Sequence, residues 1–185
     1  MSSAAPCLLP DEPLPAYAFV PGRFPHPVSD PAGHSHGQPP AAVVALDPAD
    51  WPANRAYLRG FDLFNHGYYW EAHEAWEALW HAAGRRGPVA LFLQGLIRLA
   101  AAGVKVRQGQ ARGTAGHARA AAVRFRQVSE QLGRPSQFLG LPFAHLLSAA
   151  DLAEARATDQ PDTTPGVRVV FPFTLLPGVE SVPPS

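Results

Sequence analysis

The residues best suited to chemistry are gathered in one run, Phe64-Asn65-His66-Gly67-Tyr68-Tyr69-Trp70-Glu71-Ala72-His73-Glu74-Ala75-Trp76-Glu77-Ala78-Leu79-Trp80. Three of the four tryptophans, two histidines and three glutamates fall within these seventeen residues. On a helix, at about 100° per residue, His73 shares a face with Tyr69, Trp76 and Trp80. Glu77 lies one turn on and about 40° round, at the edge of the aromatic stripe. A helix turns such a stripe to the core. The pattern therefore aims an imidazole and a carboxylate inward, where ionisable groups need partners. His73 and Glu77, at i and i+4, can meet. The set His73-Glu74-x-x-Glu77 suggests a divalent metal held by ligands from adjacent turns. It is not the zincin motif, which needs a second histidine at position 77. It also lacks the Glu-x-x-His spacing of di-iron bundles. Glu71 projects to the far side of the helix, and Glu74 lies between the two faces.

A complementary polar line runs along the next apolar segment. Gln94, Arg98 and Lys105 fall within about 40° of one another there. If the two segments pack antiparallel, Arg98 or Lys105 reaches Glu77. Two functions fit. One is a polar pocket around His73, Glu77 and Gln94 that binds a metal or small ligand, extending to a hydrolase-like enzyme. The other is a non-catalytic interaction module whose His/Glu/Gln network is buried, satisfied and structural, fixing helix register. An open cleft around His73 separates the first from the second. His26 and His34, in the arm PGRFPHPVSDPAGHSHG, are further metal-ligand candidates if that arm folds over the pocket. The competing reading has them, with His36, capping loops or facing water. His117 reads as a partly buried polar residue, and His66 as serving a helix end. There is no Gly-rich phosphate loop and no Gly-x-Ser-x-Gly elbow.

Proline marks out the elements that must position these groups. Twelve of the 21 prolines lie at or before Pro52 and six at or after Pro161, with only Pro88, Pro135 and Pro142 between. Proline breaks a helix interior. The chain thus reads as an all-α domain over residues 47–157, a Pro- and His-containing arm over 1–46, and an extended tail over 158–185. About five helices are expected: Pro52 to His66, capped by Asp50 and stopped by Gly67; Tyr68 to Ala82; Pro88 to about Gly109; Arg112 to Leu132; and Pro142 to Ala157. Short connections make neighbours antiparallel hairpins in a compact array. Ala118, Ala122, Phe125 and Leu132 are expected to face inward, as are Phe143, Leu146, Leu147 and Leu152. Tyr17, Phe19 and Phe24 should anchor the arm, and the run Val167 to Phe173 should drape over the domain.

The chain of 185 residues has room for one domain with a substantial core. Net charge is zero, which argues against a nucleic-acid or anionic-membrane partner. The charge is unevenly spread, however. No acidic residue lies between Glu77 and Glu130, a span holding Arg85, Arg86, Arg98, Lys105, Arg107, Arg112, Arg119, Arg124 and Arg126. The favoured reading is internal neutralisation by an acidic arm and an acidic helix beside a basic hairpin, with a phosphate or nucleic-acid surface as the alternative. The longest apolar stretch, Pro88 to Val106, is interrupted by Gln94, Arg98 and Lys105, so no membrane span is expected. The single cysteine, Cys7, precludes an internal disulfide. With no basic, apolar leader at the N-terminus, a cytoplasmic location is expected. The sequence names no partner; self-association is compatible with it.

The run from Phe64 to Trp80, followed by Phe92-Leu93-Gln94-Gly95-Leu96-Ile97-Arg98-Leu99-Ala100-Ala101-Ala102, closely resembles the bacterial and archaeal family known as domain of unknown function 309. The likeness spans about residues 53 to 110, with two motifs in the right order and spacing. Arg98 departs from it, since glutamine is usual there. The resemblance implies an all-α array of helical hairpins and supplies no mechanism. The arm PGRFPHPVSDPAGHSHG resembles an extension found on some bacterial members.

Overall fold

A computed structural model describes residues 5–39 and 42–178. Five α-helices form the body: α1 (Arg55–Asn65), α2 (Tyr69–Ala82), α3 (Gly87–Gln108), α4 (Ala111–Gln131) and α5 (Phe143–Glu154). Each packs on its chain neighbours, and α3 also touches α5. This is the all-α array of hairpins that the proline distribution implies.

The helix ends follow local chemistry. Asp50 opens a single 3-10 turn, Trp51–Ala53, rather than α1. The true cap of α1 is Asn54, whose side chain accepts the Tyr57 N–H. The sequence signal was displaced by one turn because Pro52 and Asn54 divide the segment into two short pieces. Gly109 ends α3 in the left-handed region, at φ 65°, where a side chain would be strained. Two of the expected inward residues are exposed. Leu132 lies just past the last turn of α4, and Leu152 sits on the outer face of α5.

By length and composition α3 is apolar enough to cross a bilayer. In the fold it is the central helix, with thirteen of its 22 residues buried between neighbours. Its apolar character is thus accounted for by the core. The aromatic core lies where α1 and α2 cross: Phe61 packs edge-on against Trp76 at 5.1 Å, and Trp76 is fully buried. Gly60 makes this approach possible, because a Cβ there would overlap the Trp76 indole.

One element was not legible as such. Between α4 and α5 a two-residue hairpin pairs β1 (Gln137–Phe138) with β2 (Leu141–Pro142). Its turn residues Leu139 and Gly140 both have positive φ. A leucine tolerates this because its side chain is buried and its carbonyl accepts the Tyr57 hydroxyl at 2.8 Å.

Both arms are docked, and polar side chains do much of the docking. Buried Asp62 accepts the Leu8 and Leu9 N–H groups at 2.7 and 2.8 Å. Glu71, also buried, accepts the Phe19 N–H at 2.8 Å. Asn65 pairs with Leu175 through both backbone groups, at 2.8 Å each. The Tyr69 hydroxyl accepts the Val170 N–H; burial first of all pushes its pKa up to about 12. Extended arms cannot satisfy their own backbone groups, so helix side chains stand in for a neighbouring strand. The expected aromatic anchors contribute as well. Phe19 and Phe171 are buried, Phe171 stacks on Phe64, and Tyr17 stacks on Phe24.

A further tie involves Arg107, a residue with no distinguishing sequence signal. It is 1% exposed. Its Nε lies 3.3 Å from Asp162 Oδ2 in the tail, and its Nη2 donates to the Gly166 carbonyl. Arg23 of the N-terminal arm donates to the Arg107 and Asp162 carbonyls. The two arms therefore meet at the C-terminal end of α3.

Candidate functional site

The helical spacing that groups His73 with Glu77 leads to a cleft between α2, α3 and α4. His73 and Glu77 line it from α2, Gln94 and Arg98 from α3, and His117 from α4. Trp80, Ile97 and Ala101 form its apolar wall. The cavity holds about 210 Å³. His73 Nε2 is 3.7 Å from Glu77 Oε2, and their side chains are 28% and 39% exposed. They stand at the mouth of an open cleft rather than inside a closed core. The helix turns Trp76 fully inward, and that fixes His73 and Glu77, one residue row away, at the rim.

Glu74 joins them. One ligand atom from each of His73, Glu74 and Glu77 lies within 4.8 Å of the others. Their electrostatics are coupled to the cleft. Partial burial, followed by Arg98, holds His73 below the ordinary imidazole range, and Glu77 only partly opposes this. Partial desolvation, then the charges of Glu77 and Glu71, raise Glu74 above the ordinary carboxylate range. A lowered pKa favours the neutral imidazole, the form that ligates metals. Two crowded carboxylates beside it favour a cation.

The remaining sequence candidates divide. Gln94 and Arg98 line the cleft. Arg98 does not reach Glu77 as expected; its Nη1 lies 3.3 Å from His117 Nδ1. Lys105 is not among the lining residues, and its ammonium donates to Gln108. His26 and His34 do not gather with the His73 group among the described residues. His34 faces Glu71 at 3.3 Å, and the His26 ring packs edge-on against Phe19 and Trp70. Both histidines serve the docked arm. Its path runs past Glu71, the glutamate that helix geometry sends away from His73.

Sequence reasoning undervalued His117. Burial, then Arg98, Lys105 and His73, hold its imidazole below the ordinary range. Its only sequence signal was its place in a basic, acid-free segment. Trp80 had a second role beyond the core: its indole Nε1 is buried with no partner among the described residues. Arg98 does not extend the His73–Glu77 pair into an imidazole–carboxylate–guanidinium chain, because it lies against His117.

The fold and cleft together define a small helical protein with a polar, histidine-bearing pocket. The family model described as domain of unknown function (DUF309) matches residues 57–116. The matched span takes in every cleft residue except His117. No curated protein and no solved structure matches the chain.

Proposed function

We propose that the protein binds a divalent metal ion through His73, Glu74 and Glu77 and presents it to the cleft. The observation that carries this reading is the convergence of three ligand atoms within 4.8 Å at the cleft mouth. One imidazole nitrogen with two carboxylates suits zinc, manganese or ferrous iron better than a thiophilic ion. Three protein ligands leave further coordination positions for water or a small ligand, as in catalytic metal centres. A cation also relieves the repulsion that lifts Glu74. His73 needs no deprotonation at neutral pH, so binding meets little proton competition there.

Elemental analysis of the purified protein, with calorimetric titration of the metal-stripped form against Zn²⁺, Mn²⁺ and Fe²⁺, tests this. One equivalent per chain is expected, lost in the double variant His73→Ala and Glu77→Ala. Absence of binding in the wild-type protein, or stoichiometric binding retained by the double variant, refutes it.

A further inference from the structure

The cleft also carries a cation at its rim, the exposed guanidinium of Arg98. Among the described residues no carboxylate lies within ion-pair distance of Arg98. A guanidinium nitrogen only donates, so His117 Nδ1 accepts from Arg98 and the His117 proton sits on Nε2. The Gln94 carboxamide adds a donor and an acceptor to the lining. Among the described residues of the lining, Arg98 is thus a full positive charge with no carboxylate partner.

The charges agree. Arg98 lies within the long acid-free span between Glu77 and Glu130. On the metal reading above, a divalent ion offsets Glu74 and Glu77 and leaves the Arg98 charge unbalanced. A monoanion restores neutrality. The wall of Trp80, Ile97 and Ala101 then selects for an anion with an apolar body, which inorganic phosphate lacks.

We propose that this cleft takes a small organic carboxylate beside the metal, its carboxylate on Arg98 and its apolar body against Trp80, Ile97 and Ala101. The cleft volume, about 210 Å³, suits a small organic acid.

The test is calorimetric titration of the full chain, zinc-loaded and metal-free, with acetate, butyrate, benzoate and inorganic phosphate. Butyrate or benzoate should bind the loaded protein more tightly than acetate or phosphate. Arg98→Gln should weaken that binding about tenfold or more, with Arg98→Lys in between, because lysine keeps the charge and loses the fork. Both variants should still take one equivalent of zinc, since Arg98 is not a metal ligand. Ala101→Phe, which fills the cleft without altering its charge, should give the same loss of carboxylate binding. Carboxylate binding indifferent to Arg98→Gln and Ala101→Phe overturns the proposal, as does a preference for phosphate. Zinc binding without any anion binding overturns it while leaving the metal site standing. Arg98-dependent carboxylate binding in a protein that takes no metal upholds the anion site and sinks the metal reading.

Discussion

Glu77→Gln should change sign with metal. In the metal-free protein the Glu77 and Glu74 carboxylates lie within 4.8 Å. Two like charges at that separation repel by about 0.9 kcal/mol in a water-like dielectric, and about twice that if the dielectric is halved. The Glu77 side chain is 39% exposed, so the lower end applies after screening, roughly 0.5–1 kcal/mol. The His73 imidazole, held neutral, offers little compensating attraction. Removing the charge while keeping the shape should therefore stabilise the apo protein by roughly 0.5–1 kcal/mol. At about 2–4 °C per kcal/mol for a chain of this size, Tm should rise by about 1–4 °C. With metal at a hundred times Kd, the wild-type protein gains about 2.7 kcal/mol, or about 5–11 °C, and the variant should gain almost none. Differential scanning calorimetry in EDTA and in excess Zn²⁺ reads both arms. If Glu77→Gln loses more than about 1 kcal/mol in EDTA, the carboxylate is a structural acceptor. Equal metal shifts in the two proteins would remove Glu77 from the metal site.

Three further outcomes concern the arms. Deleting residues 1–40 should cost several kcal/mol, since burial of Leu9 and Phe19 is worth about 1.5–3 kcal/mol each and Asp62 and Glu71 lose their donors; an unchanged Tm would show the arm contributes nothing. Asn65→Leu should cost about 1–3 kcal/mol by leaving both Leu175 backbone groups unpaired, and hydrogen exchange should locate the loosening in the tail. Asp162 is held below its ordinary value of 3.8 because hydrogen bonds to Thr164 and the charges of Arg107 and Arg168 outweigh its desolvation. A lowered folded-state pKa contributes stability that is complete above the unfolded value and is lost as pH falls through the folded one. Proteolysis of the tail should accordingly increase only below about pH 3.8 in the wild type, and Asp162→Asn should show the loosened tail already at neutral pH; a tail equally protected in the variant would discount the Arg107 contact.

What the sequence by itself determined is local. Helix ends were readable because proline, glycine and capping side chains act within a turn of their own position. The meeting of His73 with Glu77 was readable for the same reason, since i and i+4 are neighbours on any helix. Whether that pair stood inside a core or at a cleft was not readable, because the answer depends on what α3 and α4 place opposite. Arg98 and Lys105 show the limit. They share a helix face, yet seven residues at 1.5 Å each separate them by about 10 Å, so Arg98 borders the cleft while Lys105 does not. His117 enters from a helix forty residues away, and the partners of Asp62, Asn65 and Arg107 lie 53 to 110 residues off in the chain. Such contacts follow from how the helices stack and where the arms cross them. Periodicity reports which face of a helix is buried, but only the tertiary structure decides which groups that face meets.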